Sequence, residues 1–140
     1  MSEPVFIDTN VLVYANNAND LRKREQAQEL LQRVITEGTA WISLQVLQEF
    51  FVVATRKLGM DAAAARRHVE LYASLNVAKL DPADLLAAID PHSAHGFSIW
   101  DALIVRAALI SGCRRLYTED LQPGRRIGAL EVVNPFATTV

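Results

Sequence analysis

Val5-Phe6-Ile7-Asp8-Thr9-Asn10, near the start of the chain, decides how the remainder is read. Val5-Phe6-Ile7 follows Pro4 and is apolar without alternation, the mark of a strand buried on both faces. The run stops at a polar triplet in which Asp or Asn can cap a helix, and Val11–Ala15 continues apolar for about a turn and a half. Strand then helix is the opening of a βαβ unit, and the pattern recurs outward from it. Asp20 opens a second helix, with Leu21, Ala27, Leu30, Leu31, Val34 and Ile35 at helical spacing and Gly38 as its stop. Ala40–Ser43 is the next strand, and a helix follows from Gln45 to Leu58, ending at Gly59. Asp61 caps another helix carrying Val69, Leu71, Tyr72 and Leu75. Val77–Leu80 is a third short strand, Pro82 sits in a helix first turn, and Ser98 caps a long apolar helix to Ser111. Leu116-Tyr117-Thr118 is a strand, Glu119–Gly128 a polar loop, and Leu130–Val133 a last strand. Alternation of this kind predicts an α/β fold: a mostly parallel central sheet of four to five strands with helices on both faces.

A chain of 140 residues, 51% hydrophobic and 21% charged, is sized and composed for one globular domain, here residues 1–140. Cys113 is the lone cysteine, which excludes an internal disulfide and a zinc–thiolate site. No apolar run reaches the roughly 18 residues of a membrane span, since Asp101 and Arg106 interrupt Ile99–Ile110. Met-Ser-Glu-Pro-Val has no basic or apolar leader character, so the expectation is a soluble, cytoplasmic protein with no membrane partner. Net charge is −2, which by itself argues against nucleic acid. The basic residues are mostly arginine, whose planar fork suits phosphate. Arg22-Lys23-Arg24 and Arg125-Arg126 are the basic groups expected to border the strand ends, although such groups are more often plain solvated surface.

Four carboxylates stand out from the rest. Asp8 and Asp120 each follow an apolar strand. Glu49 lies on or beside the stripe formed by Val46, Phe50 and Val53, and Asp101 has Phe97, Ile104 and Val105 at helical spacing. A bare carboxylate in apolar surroundings is expensive and persists only with a partner. In a parallel sheet the strand ends and following helix starts share one edge, so all four acids gather there. No basic residue is placed in the sequence to neutralise them, which leaves a cation. Oxygen ligands without His or Cys select a hard ion, Mg2+ or Mn2+. Each acid also has an ordinary explanation: Asp8 as a helix cap, Glu49 turned to solvent, Asp101 in a capping box with Ser98, and Asp120 in a turn.

Phe6-Ile7-Asp8-Thr9-Asn10-Val11-Leu12 resembles the opening motif of PIN-domain ribonucleases. Leu47-Gln48-Glu49-Phe50 is similar to their second acidic motif, Ile99-Trp100-Asp101-Ala102-Leu103-Ile104 to the third, and Leu116-Tyr117-Thr118-Glu119-Asp120-Leu121 to the fourth. Val133-Asn134-Pro135-Phe136 resembles the family's ending. At this length the likeness is to the VapC-type toxins of toxin–antitoxin pairs. It implies a PIN-like fold, Mg2+- or Mn2+-dependent endoribonuclease activity, dimerisation and inhibition by a small antitoxin. It also implies Asp8, Glu49, Asp101 and Asp120 as catalytic metal ligands, with Glu119 a possible helper beside Asp120.

Thr9, Asn10 and Ser43 lie near the same edge, able to orient water or phosphate or simply to cap helices. His92 and His95 are three apart but sit in a Pro-containing stretch away from the acids, and His68 has no evident partner. Two alternatives compete with the nuclease. A phosphoacceptor signalling domain shares the acidic Mg2+-binding edge, but it wants adjacent acids after the first strand, where this chain has Asp8-Thr9-Asn10, and a late lysine, whereas Lys79 is the last one here. A catalytically silent PIN-like RNA-binding module is opposed by the intact set of acids. The apolar run Phe50–Ala54, with Val69, Leu71 and Tyr72, exceeds what one helix face can bury and suggests a protein partner.

Overall fold

A computed structural model describes residues 3–90 and 96–137. Strand β1 (Val5–Ile7) leads into α1 (Thr9–Ala15) and α2 (Leu21–Thr36). There follow β2 (Ala40–Ser43), α3 (Leu44–Arg56), α4 (Ala62–Tyr72) and β3 (Asn76–Ala78). The chain continues through α5 (Pro82–Ile89), α6 (Ile99–Ile110), β4 (Arg115–Tyr117), β5 (Arg126–Ile127) and β6 (Leu130–Val133). Asp20 accepts from the Lys23 amide and Asp61 from Ala64, as the sequence suggests, and Asp81 caps α5 by accepting from the Asp84 amide. No helix among the described residues is long and apolar enough to cross a membrane.

The strands form one six-stranded sheet in the order β3-β2-β1-β4-β6-β5. All pairings are parallel except β5 with β6. The expected four to five strands are therefore six, and the extra one lies inside the stretch expected to be a polar loop. Its two residues are too short and too polar to register as a strand: Arg126 pairs with Glu131 and Ile127 with Leu130 across a tight turn. Gly128 stands in that turn at a φ of 60°, a conformation costly for any residue with a Cβ.

Phe6, Ile7, Leu12, Ile42, Phe50, Leu116 and Leu130 fill the core without exposure. Phe50 meets the Tyr72 ring edge-on, and the ring of His68 lies 6.2 Å from it. His68 therefore does have partners, since its Nδ1 also lies 3.0 Å from the Ala64 carbonyl. His92 and His95 fall outside the described residues. The apolar run on α3 divides: Phe50 and Ala54 are buried, while Phe51 and Val52 stay exposed, as does Leu71 on α4.

β1 occupies the middle, pairing with β2 on one side and β4 on the other. From β1 the chain builds outward through β2 and β3, then returns to add β4 and β6 on the opposite side. Strand order reverses at β1 and β4, and a crevice opens beyond the carboxyl ends of strands at such a point. Asp8 follows β1 directly, and Thr118, Glu119 and Asp120 follow β4. Topology alone thus delivers the first and fourth acidic motifs to one place.

Candidate active site at the strand switch point

Asp8 is the anchor of the site. It ends β1 and caps α1, its Oδ1 accepting from the Thr9 amide at 2.7 Å. Its Oδ2 accepts from the Thr118 hydroxyl at 2.8 Å. Only 5% of the residue is exposed. Burial pushes its carboxyl up to about 7, and the charges of Asp120 and Glu49 push the same way, against the two hydrogen bonds.

The neighbouring polar residues tie the other acids to Asp8. The Thr9 hydroxyl donates to Glu49 Oε1 at 2.7 Å, so Thr9 links two carboxylates through backbone and side chain. Asn10 Nδ2 donates to Thr118 Oγ1 at 3.0 Å and to Asp120 Oδ2 at 3.1 Å, and Asn10 Oδ1 accepts from the Glu119 amide. Thr118 is fully buried, and its hydroxyl accepts from both Asn10 and the Asp120 amide. With both lone pairs engaged, its one proton is committed to Asp8. Thr118 was legible only as the end of a strand; it lies just past β4. A polar residue closing an apolar run, beside two acids, was the available signal.

Glu49 and Asp101 are half-buried and Asp120 is exposed, so Asp8 alone carries the full cost of burial. Glu49 Oε2 also accepts from Gln45 at 3.3 Å, a one-turn contact along α3. Asp101 sits in the first turn of α6, where its amide donates to Ser98 Oγ at 3.1 Å. Burial raises its carboxyl above the ordinary range, Asp120 and Glu49 add to this, and Ser98 opposes it. The charges of Glu49 and Asp120 thus reach both Asp8 and Asp101, which puts all four acids in one field.

Glu119 lines the same cleft, but its carboxylate is engaged by other partners. Its carboxylate accepts from the Tyr14 hydroxyl at 2.7 Å and from Lys23 Nζ at 2.8 Å. A basic residue therefore does reach this edge, from α2, which the sequence did not reveal because Lys23 and Glu119 lie 96 positions apart. Lys23 stacks on the Tyr14 ring and is engaged rather than free for phosphate. Arg125 lies over the Phe97 ring, and Arg106 pairs with Asp84 at 3.0 Å, away from the acids. Ser43 is buried and faces its own helix, accepting from the Val46 amide at 3.4 Å, which is the capping role.

A cleft of about 680 Å3 opens over this edge, lined by Thr9, Asn10, Gln45, Glu49, Lys57 and Asp120 among others. Among the described residues, no three His, Cys, Asp or Glu side chains converge closely enough to enclose an ion by themselves. Mg2+ commonly keeps several waters and takes only one or two carboxylates directly. An all-oxygen set of carboxylates, with Asp8 buried among them, fits such a hard, partly hydrated cation.

The sequence pattern of the PIN domain matches residues 5–127. Among solved structures, a Klebsiella pneumoniae toxin–antitoxin complex aligns with a TM-score of 0.69 at 19% identity, over 94% of this chain and 97% of that one. VapBC2 from Rickettsia felis, bound to a DNA fragment from its promoter, aligns at 0.65 and 18% identity, covering 91% and 96%. VapC20 of Mycobacterium tuberculosis, a sarcin–ricin loop cleaving toxin, aligns at 0.63 and 23% identity, covering 83% and 89%. No curated protein matches in sequence. The structural likenesses establish the fold, and with a sequence match over most of its length this chain belongs to the PIN-domain family.

Proposed function

We propose that the protein is a Mg2+- or Mn2+-dependent endoribonuclease and the toxin of a toxin–antitoxin pair. The observation that carries this reading is Asp8, a buried carboxyl raised by its surroundings and tied through Thr9, Asn10 and Thr118 to Glu49 and Asp120. So costly an arrangement is characteristic of sites shaped for chemistry. Asp8, Glu49, Asp101 and Asp120 would hold the metal, directly or through water. A metal so held supplies an activated water and neutralises charge on the scissile phosphate. The protein's part is positional: Thr9 fixes the spacing of Asp8 and Glu49, Asn10 aims Asp120, and Thr118 keeps Asp8 Oδ2 an acceptor. Glu119 holds Lys23 and Tyr14 rather than metal. The chemistry of the acids and the likeness to VapC20, a sarcin–ricin loop cleaving toxin, support RNA as the substrate, and the cytoplasm is the proposed workplace. A small antitoxin or a second copy of the chain would cover the exposed apolar strip at Leu44, Phe51 and Val52.

Incubation of the purified protein with total RNA tests the reading. Fragments with defined ends should form with Mg2+ or Mn2+ and be absent in EDTA. RNA left intact under every condition, or cut equally well in EDTA, would overturn it. Covalent labelling of Asp8 by acetyl phosphate would instead indicate a phosphoacceptor.

A further inference from the structure

Trp100 stands where two clefts meet. The first is the cleft over the acids, and the second, of about 660 Å3, runs past Lys79, Asp81 and Leu85. Among the described residues they share Gln45, Gln48 and Trp100. Trp100 is 61% exposed, although its neighbour in sequence, Asp101, belongs to the acid set. By contrast Trp41 is packed against the core. The backbone beneath Trp100 is fixed: Gln45 Nε2 donates to the Trp100 carbonyl at 3.1 Å while also reaching Glu49. A large, exposed aromatic side chain therefore springs from an anchored backbone beside the carboxylates.

We propose that Trp100 is a stacking platform for an unpaired base of the RNA, with the strand passing from the acid cleft into the second cleft on either side of it. This rests on the ribonuclease reading and names how its substrate is held. Single-stranded RNA is recognised by splaying bases onto aromatic faces, and such stacking tolerates any base. Lys57 lines the first cleft and Lys79 the second, placing one cation along each arm for the backbone phosphates. The Gln45 and Gln48 amides lie at the junction, where base edges would pass. A protein partner is better served by the mainly apolar groove on α3 and α4 formed by Leu44, Leu47, Phe51, Val52 and Val69, with Gln48 and Arg66 also lining it.

The test compares wild type with Trp100→Ala and Trp100→Phe, using a fluorescein-labelled single-stranded RNA decamer in EDTA at low salt, beside cleavage kinetics with Mn2+ and light scattering. Trp100 is largely exposed, so all three proteins should melt alike. Trp100→Ala should weaken decamer binding by about five- to a hundred-fold and raise KM more than it lowers kcat. Trp100→Phe should stay within roughly threefold of wild type, because a ring remains. Equal decamer affinity in Trp100→Ala and wild type would overturn the proposal. A changed oligomeric mass with unchanged RNA affinity would do so too, assigning the indole to a protein contact. Should wild type bind the decamer through Trp100 yet cut no RNA, the ribonuclease reading fails and the platform stands. Should it cut RNA while Trp100→Ala is indistinguishable, the platform fails alone.

Discussion

Thr118 shows how one hydroxyl can fix a site. It serves three groups at once, and Thr118→Val would keep the shape while leaving Asp8 Oδ2, Asn10 Nδ2 and the Asp120 amide short of a partner. The expected cost is about 1–3 kcal/mol of stability, read by thermal or denaturant melts, with a parallel loss of cleavage. Asp8 itself makes the metal-free protein pH-sensitive. Its carboxyl titrates at about 7 when folded against an ordinary 3.8, so the folded chain holds a proton that the unfolded chain has lost. Where the native state binds more protons, stability falls as pH rises. The loss from Asp8 should run from about pH 4 to 7 and level off above, amounting at most to a few kcal/mol. Melts in EDTA between pH 5 and 8 should show this decline in wild type and a flatter profile in Asp8→Asn. Equal slopes would show that Asp8 is not held as described. The sequence exposed the acids because each broke an apolar pattern. It hid Thr118 and Lys23, whose roles depend on contacts between residues about a hundred positions apart.

At the scale of elements, α6 places two functions in one turn. Ser98 caps the helix through the Asp101 amide, while the Asp101 carboxyl shares the field of Glu49 and Asp120. The two roles separate by substitution. Ser98→Ala should lower stability by about 1 kcal/mol, the usual value of a cap. Asp101→Asn keeps its amide and removes a charge that Glu49 and Asp120 repel, so it should raise the melting temperature in EDTA while abolishing cleavage. Wild type should be stabilised by Mn2+ in proportion to saturation, by about 2.7 kcal/mol at a hundred times Kd, and Asp101→Asn much less. A variant melting well below wild type in EDTA would make Asp101 a structural residue. Helix positions were legible in the sequence from caps and glycine stops, but β5 was not. Two residues, one of them Arg126, carry no periodicity, and their strand character comes from pairing with Glu131 and Leu130.

For the whole molecule, the order of the sheet makes the site possible. The reversal between β1 and β4 brings Asp8 and Asp120 together, while α3 after β2 and α6 carry Glu49 and Asp101 to the same edge. That convergence could be inferred from alternating strands and helices, since parallel strands end on one side. Which side chains touch, and that Glu119 is occupied by Tyr14 and Lys23, could not. The apolar strip of α3 is likewise visible only once Phe50 is seen buried and Phe51 and Val52 are seen exposed. If that strip is an interface, Val52→Asp should reduce the oligomeric mass measured by light scattering without lowering the melting temperature of the monomer. The central claim is that four acids, and not Glu119, form the metal-dependent catalytic set. Its most direct measurement is one RNA-cleavage assay in Mn2+ across Asp8→Asn, Glu49→Gln, Asp101→Asn, Asp120→Asn and Glu119→Gln. The first four should each lose more than about a hundred-fold in rate, as removal of a group that holds the activating ion should. Glu119→Gln should keep most of its activity. A Glu119 variant as disabled as the Asp120 variant, or any of the four acid variants cutting at the wild-type rate, would contradict the account.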